Sequence, residues 1–384
     1  MSGVSVVPHG SSLSRVGVVG GGQLARLLGE SERPGISVTV LARDDEPAIA
    51  TCDDVIIGDA RDDAALRALA ERVDVITFDH ELVDLDQLTR LESEGVLLRP
   101  GPGALRAAVD KSYQRQLVAE AGLPVPRFVV ARSARDARLA AFLDTVDAAP
   151  VVKAARGGYD GRGVVFATDR DDALSAVQRL GDVVVEERQT LRGEVAQLLV
   201  RGADGQVVTY PLVTTVQRDG QCVEVRYPSD ARHDDEAATL AGRVAELIDA
   251  VGVLAVEFFV TDAGLLINEV ALRPHNTGHW TIEGSRTSQF TNHLAAVTGR
   301  PLGPTTPTAA HVVMVNVIGG PRPAPVGWSR PERRAGLAVH DYAKAWRPGR
   351  KLGHVTAWGD DAASARVRAW REARGAGTAG WEDA

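Results

Sequence analysis

Residues 254–270 read Leu254-Ala255-Val256-Glu257-Phe258-Phe259-Val260-Thr261-Asp262-Ala263-Gly264-Leu265-Leu266-Ile267-Asn268-Glu269-Val270. Two apolar runs rich in β-branched and aromatic residues flank a short polar turn with a glycine, which is the pattern of a β-hairpin. Glu257 and Glu269 stand symmetrically about Ala263, so antiparallel pairing sets them side by side. Directly opposed residues share a face, with Cβ atoms about 4.5–5.5 Å apart. Two carboxylates at that spacing repel each other. Their neighbours Val256, Phe258, Phe259, Ile267 and Val270 make a solvated surface pair a poor explanation. A hard cation between the acids removes the conflict. Mg²⁺ takes oxygen ligands, commonly one or two carboxylates plus substrate phosphates, and Asn268 offers a further oxygen next to the pair.

The search for phosphate partners leads upstream. Gly157-Gly158-Tyr159-Asp160-Gly161-Arg162-Gly163 has four glycines in seven residues, between apolar runs at 151–153 and 164–167. Glycine lets backbone N–H groups approach an anion closely. The loop joins two strands rather than opening a helix, so it suits a flexible flap over phosphates, with Lys153 one step away. Glu186 and Glu187 end another apolar strand and Glu194 begins the next. Such a strand end can meet an adenine edge and accept ribose hydroxyls, although a surface reading competes.

At the N-terminal end, the apolar run 15–19 enters Gly20-Gly21-Gly22-Gln23-Leu24, followed by Leu27 and Leu28 at helical spacing. Strands at 36–41, 55–57 and 73–78 alternate with a helix at 64–71, which predicts a parallel α/β unit ending near Arg115. The glycines resemble a dinucleotide fingerprint with Ala25 at the third position. An NAD-dependent oxidoreductase is therefore one reading, and a phosphorylated sugar at the helix N-terminus is another. After Gly122-Leu123-Pro124 the pattern becomes mixed α+β, with a long helix at 234–250. Pro301, Pro304 and Pro307 mark a further boundary before short strands at 310–317, 337–340 and 355–358 and a helix at 362–372.

Two more stretches carry chemistry. Arg273-Pro274-His275-Asn276-Thr277-Gly278-His279-Trp280 follows the acidic hairpin directly. The run from Asp341-Tyr342-Ala343-Lys344 through Arg347, Arg350, Lys351 and His354 is basic within an acidic protein. It reads either as a solvated edge or as an anion pocket.

Composition bounds the options. The chain has 384 residues, enough for two or three domains. A net charge of −8 argues against nucleic acid and against a polybasic membrane anchor. Cys52 and Cys222 are too few for a disulfide framework or a zinc site, which points to a reducing cytoplasm. No apolar run reaches the roughly 18 residues of a membrane span.

Taken together, Gly20–Leu24, Gly157–Gly163, Asn268-Glu269, Arg273–Thr281, Ser288-Gln289-Phe290 and Arg350-Lys351-Leu352-Gly353-His354 resemble the 5-(carboxyamino)imidazole ribonucleotide synthetases, ATP-grasp enzymes of purine biosynthesis. The resemblance runs from about Val16 to Trp358. It implies an α/β and α+β architecture: a Rossmann-like pre-ATP-grasp domain at 14–115, an ATP-grasp domain at 116–305 and a small β-rich C-terminal domain at 306–372, between a disordered start (1–13) and tail (373–384). It implies ATP, Mg²⁺ and bicarbonate, a carboxyphosphate intermediate and a homodimer. Lys153, Gly158, Tyr159, Asp160, Gly161, Arg162, Gly163, Val164, Glu186, Glu187, Arg188, Gln189, Glu194, Asn268 and Glu269 would hold ATP. Lys111 and Gln217 match positions where members carry Arg and His. Glu257 and Glu269 would hold Mg²⁺. Gln23, Leu24, Glu81, His275, Asn276, Lys344, Arg350 and Lys351 would hold the ribonucleotide. Asp160, Lys351 and Arg273 would form the catalytic set. The chain departs from the family at Asp79 (often Glu), Leu82 (Asn or His) and Ala343 (usually Gly), which leaves open a paralogue acting on a related amine. A formate-dependent glycinamide ribonucleotide transformylase is the other ATP-grasp alternative.

Overall fold

The computed structural model describes residues 13–157, 163–321, 333–334 and 336–375. Residues 1–12 of the expected disordered start, the flap residues 158–162 and the end of the expected tail lie outside them. Among the described residues no helix is long and apolar enough to cross a membrane.

The N-terminal sheet has four parallel strands in the order Asp54–Ile57, Ser37–Ala42, Arg15–Val19, Val75–Phe78. Val16, Val18 and Val19 are all buried, as expected for a parallel strand covered on both faces. The helix Gln23–Glu30 buries Leu24, Leu27 and Leu28, the face expected from their spacing.

A second, antiparallel sheet runs Phe128–Ala131, Val183–Glu186, Val151–Ala154, Val164–Phe166. Among the described residues the largest sheet has ten strands. The acidic hairpin Gly252–Thr261 and Gly264–Ala271 lies at one edge, followed by Gly193–Arg201, Val213–Arg218 and Gln221–Tyr227. The C-terminal strands form the β-rich part expected, yet they are not a separate sheet. His311–Ile318 hydrogen-bonds to Gln221–Tyr227, and Lys351–Gly359 and Leu337–Asp341 continue beyond it. The last helix runs Ala362–Gly375 with Ala373 buried, so the ordered chain extends past the boundary expected at 372.

The parts share cores. Phe290, Leu294 and Val297 of the helix Gln289–Thr298, together with Tyr342, pack into the apolar cluster of the N-terminal sheet. The buried His293 joins them by hydrogen bonds. Its Nδ1 accepts from the Val253 amide at 3.1 Å, so Nε2 carries the hydrogen and donates to Thr77 Oγ1 at 2.8 Å. Burial pushes this imidazole down to about 3, so it stays neutral. The acidic hairpin is thereby fixed against the N-terminal sheet.

Candidate active site

The hairpin delivers the acid pair, but through a detail the sequence hid. The turn leaves Asp262 and Ala263 unpaired, and the ladder steps Thr261↔Gly264, Val260↔Leu265, Phe259↔Leu266, Phe258↔Ile267. Continued regularly, it would set Asn268 opposite Glu257. A β-bulge intervenes, and the next pair is Glu257↔Glu269. Glu257 is 17% exposed and Glu269 45%. Burial, then the Glu269 and Glu194 carboxylates, push Glu257 up to about 8. Burial acts in the same sense on Glu269, but the Lys111 ammonium, 2.9 Å from its Oε1, outweighs it and holds that acid down at about 2. A cation between the two would relieve the conflict. Among the described residues no third His, Cys, Asp or Glu completes a closed cage. An open set of two carboxylates beside an amide oxygen fits Mg²⁺ shared with phosphates.

Beside the acids sits a buried charge network. Lys153 Nζ donates to Glu186 Oε2 at 2.8 Å and to Asn268 Oδ1 at 2.9 Å. Arg115 grips the other Glu186 oxygen through Nε at 2.8 Å and Nη2 at 2.5 Å. Burial, with Arg115 and Lys111 nearby, lowers Lys153 despite Glu186. Glu186 is therefore neither a surface acid nor a carboxylate free for ribose. Glu187, 3.6 Å from Arg127, and Glu194 retain that option. Burial raises Glu194 to about 7. Gln217 follows a bulge two residues beyond Thr215, the ladder partner of Glu194. Gln189 Nε2 donates to the Glu187 carbonyl at 3.1 Å, and Arg188 lies 5.7 Å from the Phe166 ring. Gly158, Tyr159, Asp160, Gly161 and Arg162 lie outside the described residues. Their flanks are an antiparallel pair in which Lys153 faces Val164 and Gly163 accepts from the Ala154 amide at 2.7 Å, which is the strand–loop–strand setting expected.

The N-terminal glycine turn differs from its sequence reading. Its amides are already taken. Asp79 accepts from Gly22 at 2.7 Å and from Ala25 at 2.9 Å, and Glu46 accepts from Gly21 at 3.2 Å. A Cβ at Gly22 would lie 2.3 Å from Asp79 Oδ2, which explains the glycine. Two acids at this helix start repel a pyrophosphate, so the dinucleotide reading fails. The amides of Gln23 and Leu24 are taken by neither acid. The Leu24 side chain is in the core, so only its backbone could meet a ligand.

Residues predicted for the ribonucleotide converge from three parts of the chain. Lys344 Nζ hydrogen-bonds Gln23 Oε1. Glu81 Oε1 pairs at 2.7 Å with Nε of Arg273, a residue expected in the catalytic set. His275 Nδ1 stands 4.0 Å from Glu257 Oε1. Asn276 is buried with both side-chain polar atoms lacking a partner among the described residues. Lys351 is 9% exposed and close enough to oppose the rise in Glu257. The C-terminal basic run thus divides. Lys344 and Lys351 turn inward, His354 is a buried neutral imidazole bonded to the Tyr342 hydroxyl at 2.7 Å, and Arg350 donates to the Ala345 carbonyl at 3.0 Å. Ala343 has φ 53°, a conformation glycine adopts freely.

Three residues that organise this site carry no such role in the sequence pattern. Arg115 marks only a boundary there, and Asp79 only a departure from the family. Gln289 is fully buried and pins the loop, accepting from the His275 amide at 2.8 Å and donating to its carbonyl at 2.7 Å. Its place in the Ser288-Gln289-Phe290 motif is the one available signal.

A glycine-flanked strand pair and a buried lysine on one antiparallel sheet, with an opposed acid pair on the other, define an ATP-grasp enzyme. Residues 116–290 match the ATP-grasp domain family, 13–109 the ribonucleotide synthetase preATP-grasp domain, and 312–368 the phosphoribosylaminoimidazole carboxylase C-terminal domain. The N5-carboxyaminoimidazole ribonucleotide synthase of Mycobacterium tuberculosis is 45% identical over 96% of this chain and 90% of its own. The Thermus thermophilus N5-carboxyaminoimidazole ribonucleotide synthetase structure superposes with a TM-score of 0.84 at 33% identity, covering 96% of this chain and 100% of that one. An Aspergillus clavatus N5-carboxyaminoimidazole synthase, solved with ADP and 5-aminoimidazole ribonucleotide, gives 0.84 at 31% identity over 94% and 98%. This chain belongs to the N5-carboxyaminoimidazole ribonucleotide synthase family.

Proposed function

We infer that this chain converts 5-aminoimidazole ribonucleotide to its N5-carboxy derivative in purine biosynthesis, in an ATP-dependent reaction. The transformylase and oxidoreductase alternatives are set aside by the family. In the mechanism we propose, bicarbonate attacks the γ-phosphorus of ATP, ADP leaves, and carboxyphosphate forms. The exocyclic amine then attacks the carboxyphosphate carbon. The C–O bond to phosphate breaks, phosphate departs, and the amine gives up a proton to yield the carbamate.

The roles follow from charge and position. When bound, Mg²⁺ would be held by Glu257 and Glu269 and would neutralise charge on the phosphates. Phosphoryl transfer depends mostly on positioning and charge stabilisation, which suits Lys153 and Lys111 as phosphate clamps. Lys111 keeps the charge of an arginine but loses its bidentate fork. Glu187, Glu194, Arg188, Gln189 and Gln217 would line the nucleoside end. Gln23, the Leu24 backbone, Glu81, His275, Asn276, Lys344 and Arg350 would hold the ribonucleotide. Arg273, paired with Glu81, and Lys351, close to Glu257, would steady the carboxyl group in transit, with Asp160 of the flap. A closing flap would exclude water from carboxyphosphate. A homodimer is the assembly we expect.

One observation carries the reading: the loop 273–280 touches Glu81 on the ribonucleotide side and approaches Glu257 on the metal side. The test is ADP release from MgATP and bicarbonate, with and without the ribonucleotide. Strong stimulation with an acid-labile carbamate product is expected. Turnover without stimulation would point to another amine, and the search would start at Leu82 and Ala343.

A further inference from the structure

The bulge that opposes Glu257 and Glu269 is a weak point in the ladder. It lies on the edge strand Gly264–Ala271, where one extra residue, Asn268, interrupts the pairing. Side chains alternate faces along a strand, so loss of the bulge would move Glu269 away from Glu257 and bring Asn268 there instead. Something must hold the irregular backbone.

The helix Lys111–Glu120 does so with one face. Lys111, Gln114 and Arg115 stand at i, i+3 and i+4, the spacing of neighbours on a helix surface. Arg115 Nη1 donates to the Ile267 carbonyl at 2.6 Å and Nη2 to the Asn268 carbonyl at 2.9 Å. Gln114 Nε2 donates to the Val270 carbonyl at 3.1 Å. Lys111 takes the Glu269 side chain. The Arg115 side chain is 5% exposed and also grips Glu186 of the four-stranded antiparallel sheet. A counter-ion for Glu186 needs neither carbonyl contact, and Lys153 already supplies one cation there.

We propose that Arg115 is a positioning residue that clamps the bulge at Asn268 and thereby sets Glu269 opposite Glu257; the inference rests on reading those acids as the metal pair. Without the guanidinium fork the two carbonyls lose their donors and the edge strand can slip. Arg115→Lys keeps the charge beside Glu186 but cannot reach both carbonyls and the carboxylate together.

The test compares wild type with Arg115→Lys in two measurements. The first is amide hydrogen exchange of residues 264–271 in the nucleotide-free, metal-free protein, where exchange about tenfold faster is expected. The second is the Mg²⁺ concentration for half-maximal turnover at fixed ATP. It should rise by about 10–100-fold, the usual effect of losing support behind a metal ligand, while KM for the ribonucleotide changes less than about twofold. Wild-type exchange together with a wild-type Mg²⁺ response would overturn the proposal. Should Arg115→Lys fail to fold, Gln114→Leu removes one clamp bond and should shift both readouts the same way by less; no shift would count against it. The double variant Arg115→Met/Glu186→Gln removes the carboxylate that Arg115 faces as well. If its Mg²⁺ response recovers to that of Glu186→Gln alone, Arg115 is only a counter-ion and the proposal falls. Failure of the metal assignment looks different: Glu257→Gln would then leave the Mg²⁺ response unchanged, while the exchange measurement still judges Arg115.

Discussion

The acidic hairpin and the N-terminal glycine turn carry equally suggestive sequence patterns, yet the fold uses them in opposite ways. At the hairpin, Glu257 and Glu269 are opposed, Lys111 pairs with Glu269, and Glu257 is left in conflict with its surroundings. At the glycine turn, Asp79 and Glu46 consume three amides, so those donors are already satisfied within the fold. The lesson concerns what remains open. A motif marks a ligand site when the fold leaves its charge or hydrogen bonds unsatisfied. The same kind of motif is structural when the fold satisfies them internally.

The largest effect that could break this contrast is expected at the hairpin. Glu269→Gln should lower turnover by about 10³-fold or more, as loss of an electrostatic group at phosphoryl transfer does, while the folded state persists because the lost Lys111 ion pair is offset by relief of the repulsion with Glu257. Full activity would place the metal elsewhere. Next, Lys351→Ala should raise KM for the ribonucleotide by about tenfold, with KM for ATP changing far less; a hydrogen bond to a charged group is worth about 1.5–3 kcal/mol. An unchanged ribonucleotide response would move that substrate away from the inward-turned lysine.

Asp79→Ala sharpens the other side of the comparison. Losing this helix cap should cost about 1–2 kcal/mol of stability, read by denaturant unfolding, with MgADP affinity unaltered. Weakened MgADP binding without loss of stability would mean the glycine turn is a nucleotide site after all. The smallest effect is a pH slope. Burial raises Glu194 from 4.5 to about 7 in the folded state. The native state therefore holds a proton the unfolded chain releases, so the favourable contribution is present below about 4.5 and is lost as pH rises through about 7. Melting temperature of the nucleotide-free protein should fall over that window, and Glu194→Gln should flatten the fall. An identical slope in the variant would show that Glu194 is not the buried acid responsible.

Much of the site is legible in the sequence, and for nameable reasons. Hairpin periodicity and a near-central turn put Glu257 and Glu269 together, even though the true turn is Asp262-Ala263 and the bulge at Asn268 restores the pairing. Glycine density between two apolar runs locates the flap's strands. Arg115 is illegible because its hydrogen bonds run to Glu186 and to the carbonyls of Ile267 and Asn268, far along the chain and partly backbone. Glu186 looks like a strand-end surface acid because nothing local announces Arg115 and Lys153.

The sequence by itself determined the main strands and several of the helices, the parallel and antiparallel character of the sheets, the acid pair and the set of cationic and polar residues around it. These depend on period, turn chemistry and charge at short range. Only the tertiary structure decided which charges are spent and which stay open. It capped the glycine turn with Asp79, brought Lys344 to Gln23 and buried Lys351 while leaving Arg347 exposed, and extended the C-terminal strands from the ATP-grasp sheet. Those outcomes rest on hydrogen bonds and burial between segments tens to hundreds of residues apart, and such contacts leave no periodic trace along the chain.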